Sequence, residues 1–475
     1  MRAGFIRENL IILSMAEVRV EEYKGKFRFT IPRLELRKIQ AKTDDYIKVI
    51  LNKNNKICTY YGRIPNIPKC RTNLQTKKGV PKDYAKQINL KKGDFINLKI
   101  SKVDNVKSDI LIRGGYLDVL NNIPIKTNSN KTIMVEEFLR NNENWLKVWY
   151  CSGHGGKSKE IELKRFVKID KKLGEFFGLM QAEGGKKNKF TFTNKFISEH
   201  KLFIDITKSF GISEDMWNYI IYHKPNINND SLKNFLKTFK NTFCINKPIT
   251  ITKNKNLIDV IYGIYINSKL LNLIMVNMLI KMRSSLLYIP NKTTSKSLKE
   301  FAEGFIIKDL IGDGTVIVNE ANRQLSVIIS EQDKKAQKDI VNILKMLNIE
   351  ARVDGIKIYL STKFENCLWL LKNKVFKEHK YNRKKLVSYM INNYYFNCLY
   401  NRLNKFNIYS IKSFSKLHKL PYNTAEMYLY RNFLRGYLNR YKKRNKSLYI
   451  TTKKCEEMIN IFEDTKKELL TFDAC

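Results

Sequence analysis

Hydrophobic residues recur at helical spacing in two stretches, each ending in an acidic residue, a glycine and then an alternating segment. The first stretch runs from Phe176 to Gly184 and leads into Lys187–Asn194. The second runs from Gly304 to Gly314 and leads into Thr315–Val318. Apolar residues three to four positions apart predict a helix, and strict alternation predicts a strand. The pattern therefore predicts two successive helix–acid–glycine–strand units.

Regular patterns continue beyond each unit. An amphipathic helix is predicted after the first, and a hairpin, a helix and a strand are predicted after the second. These segments are Phe196–Phe210, Val316–Ser330, Lys335–Leu347 and Ile356–Leu360. The predicted fold class is α+β, with two related halves in the centre of the chain.

The first hundred residues contain an internal repeat with an offset of 49 positions. The repeated segments are Ile31–Arg33 with Ile39–Ile50, and Val80–Lys82 with Ile88–Ile100. Proline favours the start of a helical turn, and the alternating residues that follow predict a strand. Each copy is predicted as a strand, a proline-started helical turn and a second strand. A looser β segment, about residues 101–165, follows.

Residues 408–460 predict a helix, a turn, a second helix and a hairpin. Pro421 breaks the first helix, and Asn423 with Glu426 has the spacing of a capping box for the second. The predicted segments are Ile411–His418, a helix ending at Leu434, and strands Tyr437–Arg440 and Ser447–Thr451 around the basic turn Tyr441–Lys446.

Charge indicates the class of partner. The 475-residue chain has a formal net charge of +43, with 88 basic residues against 45 acidic residues. A folded protein this basic repels itself without a polyanion, and nucleic acid releases counterions when lysine and arginine bind it. Double-stranded DNA is the expected partner. A lysine-rich proteome that places lysine on every solvated surface is the alternative explanation.

Cysteine usage and apolar runs indicate an ordinary cytoplasmic protein. The eight cysteines include no C-x-x-C pair and there are only five histidines, so reduced thiols are expected and zinc has little support. The most apolar stretch, Leu257–Met282, is interrupted by charged and amide residues and predicts a buried helix, not a membrane span. The true start is open between Met1 and Met15.

Two acidic helix ends in such a basic chain suit phosphodiester cleavage. That reaction uses a metal-bound water and a Lewis acid on the leaving oxygen, and Mg²⁺ prefers carboxylate and phosphate oxygens. Glu183 and Asp313 would meet this demand if close packing of the two helices brought them together. The small residues that would permit close packing are Gly178, Ala182, Gly304 and Gly312.

Both segments resemble the motif of the LAGLIDADG homing endonucleases. Phe176–Gly184 matches it nearly completely, with Gln181 in place of the upstream acidic residue. The resemblance covers about residues 170–390 and implies a pseudo-symmetric pair of αββαββα domains in one chain. It also implies that Glu183 is a catalytic acid, that Mg²⁺ or Mn²⁺ is the cofactor, and that Gly184 and Gly314 belong to the metal site.

The second motif departs from the family pattern. Counting forward makes Asp309 the family's acid, but Leu310 then follows in place of glycine. Counting back from Gly314 makes Asp313 the acid, but Lys308 then occupies a helix-interface position where close packing requires a small residue. Asp313 is preferred because Asp-Gly directly precedes the strand. Asp309 lies one turn away on the same helix face and could assist or substitute.

Lysines complete the predicted site. The resemblance implies basic or polar residues near the scissile phosphates. Lys247 and Lys357 each open a short strand followed by Thr-Lys, so they are the predicted equivalent catalytic residues that polarise a water or stabilise phosphate charge. Ordinary solvated strand lysines are an equally good explanation. Lys187 and Lys189, at the start of the first strand, are predicted to bind DNA.

Both ends of the chain resemble further DNA-binding folds. The N-terminal repeat resembles the AbrB-like swapped-hairpin fold carried twice, and residues 408–460 resemble a winged helix. The first resemblance implies DNA contacts by Arg33, Arg37, Lys82 and Lys86. The second implies contacts by Asn423, Thr424, Tyr428 and Arg431 on the helix and by Lys442, Lys443 and Arg444 on the wing. A β barrel that only packs on its neighbour and a helical cap are the respective alternatives.

The predicted organisation has five parts. They are a duplicated β domain (1–105), a β-rich connection (106–168), two LAGLIDADG repeats (169–290 and 291–395) and a winged-helix-like domain (396–475). The predicted function is metal-dependent double-strand cleavage at a long DNA site by a free-standing or intron-encoded monomer, in the cytoplasm at the nucleoid, without membrane contact. The alternative is a non-catalytic DNA-binding regulator or an intron-RNA splicing cofactor on the same scaffold.

Overall fold

The protein is a mixed α+β chain. The computed structural model describes residues 14–23, 25–41, 46–64, 76–102, 112–113, 115–150, 158–185, 189–257, 259–285, 292–319, 324–403, 408–443 and 446–473. The chain divides into two compact units, Met1–Phe301 and Ala302–Cys475. No helix in the described ranges is long and apolar enough to cross a membrane.

The N-terminal repeat forms one six-stranded antiparallel sheet, in the order β4-β3-β6-β1-β2-β5. Its elements are β1 (Ser14–Tyr23), β2 (Lys26–Ile31), α1 (Arg33–Lys38), β3 (Tyr46–Lys53), β4 (Lys56–Arg63), β5 (Thr76–Gly79), α2 (Lys82–Gln87) and β6 (Phe95–Lys102). The predicted strand, proline-started turn and strand are confirmed in both copies, because Pro32 and Pro81 immediately precede α1 and α2.

The two copies of this repeat are interleaved. β2 pairs with β5, and β3 pairs with β6, so that each copy completes the sheet of the other. The helical turns end alike, since Gln40 and Asn89 both adopt positive φ, at 48° and 49°. The apolar side chains of both copies form a single buried core.

The connecting segment is β-rich, as predicted. It contains β7 (Ile112–Arg113), β8 (Tyr116–Asp118), β9 (Ile133–Arg140), β10 (Glu143–Tyr150), β11 (Ile161–Lys164) and β12 (Phe166–Lys168) in two three-stranded sheets. Buried Arg165 lies 2.8 Å from both Asp118 and Glu137. Asn144 donates hydrogen bonds to the Glu137 carboxylate and to the Tyr84 hydroxyl on α2. This buried polar network therefore joins the connecting sheets to the N-terminal sheet.

The first motif opens a four-stranded sheet with the order β13-β16-β14-β15. Its elements are α3 (Lys171–Glu183), β13 (Phe190–Asn194), α4 (Ile197–Thr207), β14 (Asn218–His223), α5 (Asn229–Phe243), β15 (Ile249–Lys253), β16 (Ile261–Ile266) and α6 (Lys269–Ser285). α4 with the short turn after it confirms the helix predicted over Phe196–Phe210. The single helix predicted over Leu257–Met282 is wrong, because β16 forms before α6 begins.

The second motif opens a sheet with the order β17-β18-β20-β19. Its elements are α7 (Lys292–Asp313), β17 (Gly314–Asn319), β18 (Gln324–Ser330), α8 (Lys334–Met346), β19 (Ala351–Asp354), β20 (Lys357–Leu360), α9 (Phe364–Lys372), α10 (Lys380–Ile391) and α11 (Tyr394–Leu403). The predicted hairpin, helix and strand are confirmed by β17 with β18, by α8 and by β20. From α7 to α9 the element order is αββαββα.

The order αββαββα, predicted for both regions, is wrong for the first region, and the strand register explains the difference. The corresponding cross-strand series are Gly184–Phe192–Ile264 and Gly314–Ile329–Ile358. β13, β16 and β14 therefore correspond to β18, β20 and β19. The strand corresponding to β17 is reduced to the single bridge at Gly184. α5 and β15 are an insertion between β14 and β16, where the second region has only a tight turn at Gly355, with φ of +59°.

One pair of buried polar residues, His200 and Gln337, follows the same correspondence, and its offset of 137 positions equals that between Phe192 and Ile329. The ring nitrogens of His200 lie 2.9 Å from the carbonyl oxygens of Phe196 and Tyr262. The matching Gln337 donates from Nε2 to the carbonyl oxygens of Glu331 and Gly355, at 2.7 and 2.9 Å. His200 thus ties α4 to the central strand β16, and Gln337 ties α8 to the turn that precedes the central strand β20.

The C-terminal segment is a three-stranded sheet with three helices. Its elements are β21 (Ile408–Ser410), α12 (Ile411–His418), α13 (Tyr422–Leu434), β22 (Leu438–Lys443), β23 (Lys446–Thr451) and α14 (Lys453–Asp473), with the strand order β21-β23-β22. The helix Ile411–His418 is confirmed. The capping box at Asn423 and Glu426 is wrong, because Pro421 occupies the cap of α13; a capping box is formed instead by Ser410 and Ser413 at α12.

Candidate functional site

The first predicted acid, Glu183, is the last residue of α3. The helix begins after Asp170, whose side chain accepts a hydrogen bond from the backbone N–H of Leu173 at 3.0 Å. Phe176 and Phe177 anchor it in a cluster of aromatic rings. Glu183 is half-buried. A carboxylate at a helix C-terminus opposes the helix dipole, so helix stability does not account for this residue.

Gly184 is required by a close approach of backbone atoms. Its N–H donates to the carbonyl of Met180 at 3.1 Å, and its φ of −73° is one that any residue can adopt. A Cβ at this position would lie 2.4 Å from that same carbonyl oxygen. The glycine therefore allows the chain to leave the helix directly into the Gly184–Phe192 bridge, and left-handed backbone is not involved.

The second motif has the same junction. Asp313 is the last residue of α7, and Gly314 is the first residue of β17. A Cβ on Gly314 would lie 2.1 Å from the carbonyl oxygen of Leu310, four residues earlier, as Met180 is before Gly184. Each acid is thus the last residue of its helix, and the next position accepts only glycine because a Cβ there would clash with the backbone.

This match favours Asp313 over Asp309 as the counterpart of Glu183. Asp313 is half-buried like Glu183, whereas Asp309 is only 1% exposed. An interior carboxylate is poorly placed to meet a phosphate that approaches from solvent. Lys308, at the position matching Gly178, is half-buried.

Later helices hold each motif by a buried polar side chain. Arg283 on α6 donates from Nη1 to Oε1 of Gln181 at 2.5 Å. Asn382 on α10 donates from Nδ2 to the carbonyl of Gly314 at 3.2 Å, and its Oδ1 accepts from the N–H of Val316 at 3.4 Å. Gln181, which replaces an acid in the family pattern, is therefore a structural partner of an arginine.

Gly174 is a further motif residue that the sequence did not single out. A Cβ on Gly174 would lie 2.0 Å from the carbonyl oxygen of Phe301, in the first half of α7. The rings of Phe177 and Phe301 are 6.0 Å apart. Close helix approach thus occurs about two and a half turns before the acid. The glycine at the start of the motif helix, matched by Gly304, was the available sequence signal.

The predicted equivalence of Lys247 and Lys357 is wrong. Lys357 opens β20, an inner strand with antiparallel neighbours on both sides. Lys247 precedes β15, an inserted edge strand whose one neighbour among the described strands is β14, paired in parallel. The Lys247 ammonium donates to the backbone carbonyl of Asp215 and lies 3.5 Å from that of Trp217. The two similar segments, which begin at Lys247 and Lys357, therefore occupy different positions in their sheets.

Cationic side chains lie near aromatic rings at both central sheets. The ammonium of Lys189 lies 4.6 Å from the ring centroid of Tyr265, and Lys189 is exposed. In the second sheet the guanidinium of Arg352 lies 5.3 Å from the ring of Tyr359. Exposed polar and apolar positions of β17 are Thr315, Ile317 and Asn319. Lys187 lies outside the described residues.

The N-terminal copies present matched basic residues. Arg33 and Lys82 are the first residues of α1 and α2, and Arg37 and Lys86 follow one turn later. All four side chains are exposed. The duplicated sequence therefore places the same pair of cations on each of the two short helices.

The C-terminal residues predicted for DNA contact are mostly on the surface. Tyr428 is the exception, because its hydroxyl donates to the carbonyl of Cys398 at 3.2 Å and its ring stacks on Phe414. Arg444 lies outside the described residues. The exposed members are Asn423, Thr424, Arg431, Lys442 and Lys443.

The oxygen donors at the two motifs fit a hard divalent cation. Within the described ranges, no group of three or more His, Cys, Asp or Glu side chains could hold a metal ion. Mg²⁺ does not need such a group, because one or two carboxylates commonly bind it together with waters and substrate phosphates. Glu183 and Asp313 are carboxylates of that kind, one in each compact unit.

No protein-family model and no curated protein matches the chain. The two acid–glycine junctions, their sheets and the charge of the chain are therefore the observations that bear on function.

Proposed function

We propose that this protein is a metal-dependent, site-specific DNA endonuclease of the LAGLIDADG type. The observation that carries the proposal is the repeated junction, in which a helix-terminal carboxylate precedes a glycine whose Cβ would strike the carbonyl four residues earlier. Two such junctions, each opening a sheet with cross-strand pairs in matching register, are what a duplicated catalytic domain requires.

Glu183 and Asp313 are the proposed metal-binding and catalytic residues. When bound, Mg²⁺ or Mn²⁺ supplies Lewis acidity at a phosphate and an activated water. Each carboxylate would bind the cation where its helix meets the sheet, and Gly184 and Gly314 set the backbone direction that places the acid there. Lys357 is an exposed cation on the sheet that begins directly after Asp313, and it is suited to phosphate charge.

The rest of the chain is proposed to bind duplex DNA. The two sheet faces supply side chains that hydrogen-bond and stack, and the basic residues of α1, α2 and β22 supply phosphate contacts. Phosphate contacts set register and orientation, while base-edge contacts set sequence. A net charge of +43 in one chain is consistent with a long site held at many phosphates.

A non-catalytic binder is the second candidate, and one observation favours it. Lys308 occupies the helix position where the first motif has Gly178, so the second motif is not a full copy of the first. Such a binder, acting as a regulator or on intron RNA, would retain affinity for nucleic acid without cutting it.

Cleavage of a plasmid library with randomised inserts separates the two candidates. The full chain is incubated with the library in Mg²⁺ and in EDTA, and double-strand ends are sequenced. The endonuclease predicts recurrent cuts in Mg²⁺, no cuts in EDTA, and loss of cutting in Glu183→Gln with DNA affinity kept. Glu350→Gln, which changes an exposed glutamate in a surface ion pair, is the matched control and should cut normally. Sequence-selective binding without cuts in either condition would instead support the binder.

A further inference from the structure

The helix α13, which the winged-helix resemblance places in a DNA groove, presents an unusually apolar outer face. Met427, Tyr430 and Leu434 are 49%, 40% and 65% exposed, and they lie at spacings of three and four residues on one side of the helix. Asn423 stands on the same side, one turn before Met427, and is exposed. A groove-binding helix built only for phosphate would carry cations at these positions.

The surroundings of this face are cationic. Residues 408–443 contain one acidic residue, Glu426. The exposed cations of the same segment include Lys416, Lys419, Arg431, Arg435, Arg440, Lys442 and Lys443. An apolar strip with a cationic border matches a polyanion that also displays apolar groups.

Duplex DNA displays one apolar group in its major groove, the C5-methyl of thymine. Adenine displays an N6 donor beside an N7 acceptor, which an asparagine amide matches in a bidentate manner. The exposed strip of α13 offers both partners, with the amide of Asn423 near the helix start and the thioether of Met427 on the next turn.

The composition of the chain points to the same bases. Lysine greatly outnumbers arginine, and asparagine and isoleucine are abundant. The codons of lysine, asparagine and isoleucine are built mainly from A and T. DNA like the chain's own gene is therefore rich in A·T pairs.

We infer that α13 reads an A·T-rich segment in the major groove, with Met427 and its apolar neighbours contacting thymine methyl groups and Asn423 contacting adenine. This inference rests on the proposed DNA-binding function and specifies the bases that one module recognises. Burying one methyl group is worth a factor of about four in affinity. Two contacted thymines would therefore contribute a factor of about fifteen.

The test replaces thymine by uracil, which removes the methyl group and leaves the hydrogen-bonding edge unchanged. Duplexes bound by the full chain are selected from a random pool in EDTA, and the best is prepared with thymine and with uracil. Dissociation constants are measured for the wild type, for Met427→Ala and for Met134→Ala, a control that truncates another exposed methionine. The wild type and Met134→Ala should lose affinity at least fourfold on the uracil duplex, and Met427→Ala should lose clearly less.

An equal uracil penalty in the wild type and in Met427→Ala would overturn the inference, as would a selected sequence poor in A·T pairs. A Met427→Ala variant that keeps full DNA affinity but loses self-association or a protein partner would overturn it in favour of protein docking. In all three cases the chain still binds duplex DNA, so the proposed endonuclease survives. A chain that selects no duplex at all would contradict both proposals.

Discussion

His200 is predicted to make the first repeat sensitive to acid. The side chain is fully buried, and burial lowers the pKa of His200 to about 4, although hydrogen bonds to two backbone carbonyls act in the opposite direction. A neutral imidazole has one N–H, so it donates to only one of the carbonyls of Phe196 and Tyr262. The substitution His200→Gln tests this arrangement.

The sign and size of the effect follow from linkage. The unfolded chain takes up a proton on this histidine near pH 6.5, whereas the folded chain resists protonation until about pH 4. Stability is therefore lost as pH falls below 6.5, and the loss stops growing below pH 4. Relative to neutral pH, His200 is expected to lower the free energy of unfolding by about 2 kcal/mol at pH 5 and by about 3 kcal/mol at pH 4.

The second repeat supplies the replacement. Gln337, at the matching position, donates to two carbonyls from one amide nitrogen and does not titrate in this range. Urea unfolding of the wild type and of His200→Gln at pH 7 and pH 5 should show that the wild type loses about 2 kcal/mol more than the variant. The reciprocal Gln337→His should acquire acid sensitivity. Equal pH dependence in wild type and His200→Gln would refute the reasoning.

Three further effects are expected. Gly184→Ala should destabilise the protein by about 1–3 kcal/mol in urea unfolding because its Cβ meets the Met180 carbonyl, whereas Gly79→Ala, with nothing within 4 Å of the added Cβ, should change stability little. Arg165→Met should cost about 3–5 kcal/mol by leaving two buried carboxylates without their cation, and a cost below about 1 kcal/mol would count against the buried ion cluster. Raising salt from about 50 to 200 mM should weaken DNA binding by about 10³–10⁵-fold if six to ten phosphates are contacted, and a salt-independent affinity would argue against phosphate contacts.

Much of the fold was predictable from local sequence patterns. The hairpin over Val316–Ser330 and the helix Ile411–His418 were predictable because alternation and helical periodicity act over neighbouring residues. The elements of the two N-terminal copies were also predictable, since an offset repeat places Pro32 and Pro81 before the same helical turn twice.

Non-local pairing was not accessible from pattern. α5 and β15 are as amphipathic and as alternating as elements of the repeat itself, so nothing local marks them as an insertion. Only the parallel pairing of β15 with β14 reveals it, and this pairing is what separates Lys247 from Lys357. The close approach at Gly174 likewise depends on where another helix crosses.

The candidate site was predictable to the level of the junction and no further. Acid followed by glycine at a helix end indicated Glu183 and left Asp313 and Asp309 as alternatives. Exposure favours Asp313, as does the short distance between the Leu310 carbonyl and a Cβ added at Gly314, and neither can be counted along a sequence.

The central claim is that Asp313 is the functional counterpart of Glu183. The most direct measurement is cleavage of the selected target duplex by Glu183→Gln, Asp313→Asn and Asp309→Asn in Mg²⁺, with DNA affinity measured in parallel. We expect the first two variants to lose cleavage by at least 100-fold at unchanged affinity, on the scale of losing one positioned catalytic group, while Asp309→Asn still cuts. Cleavage that persists in Asp313→Asn and disappears in Asp309→Asn would contradict the account.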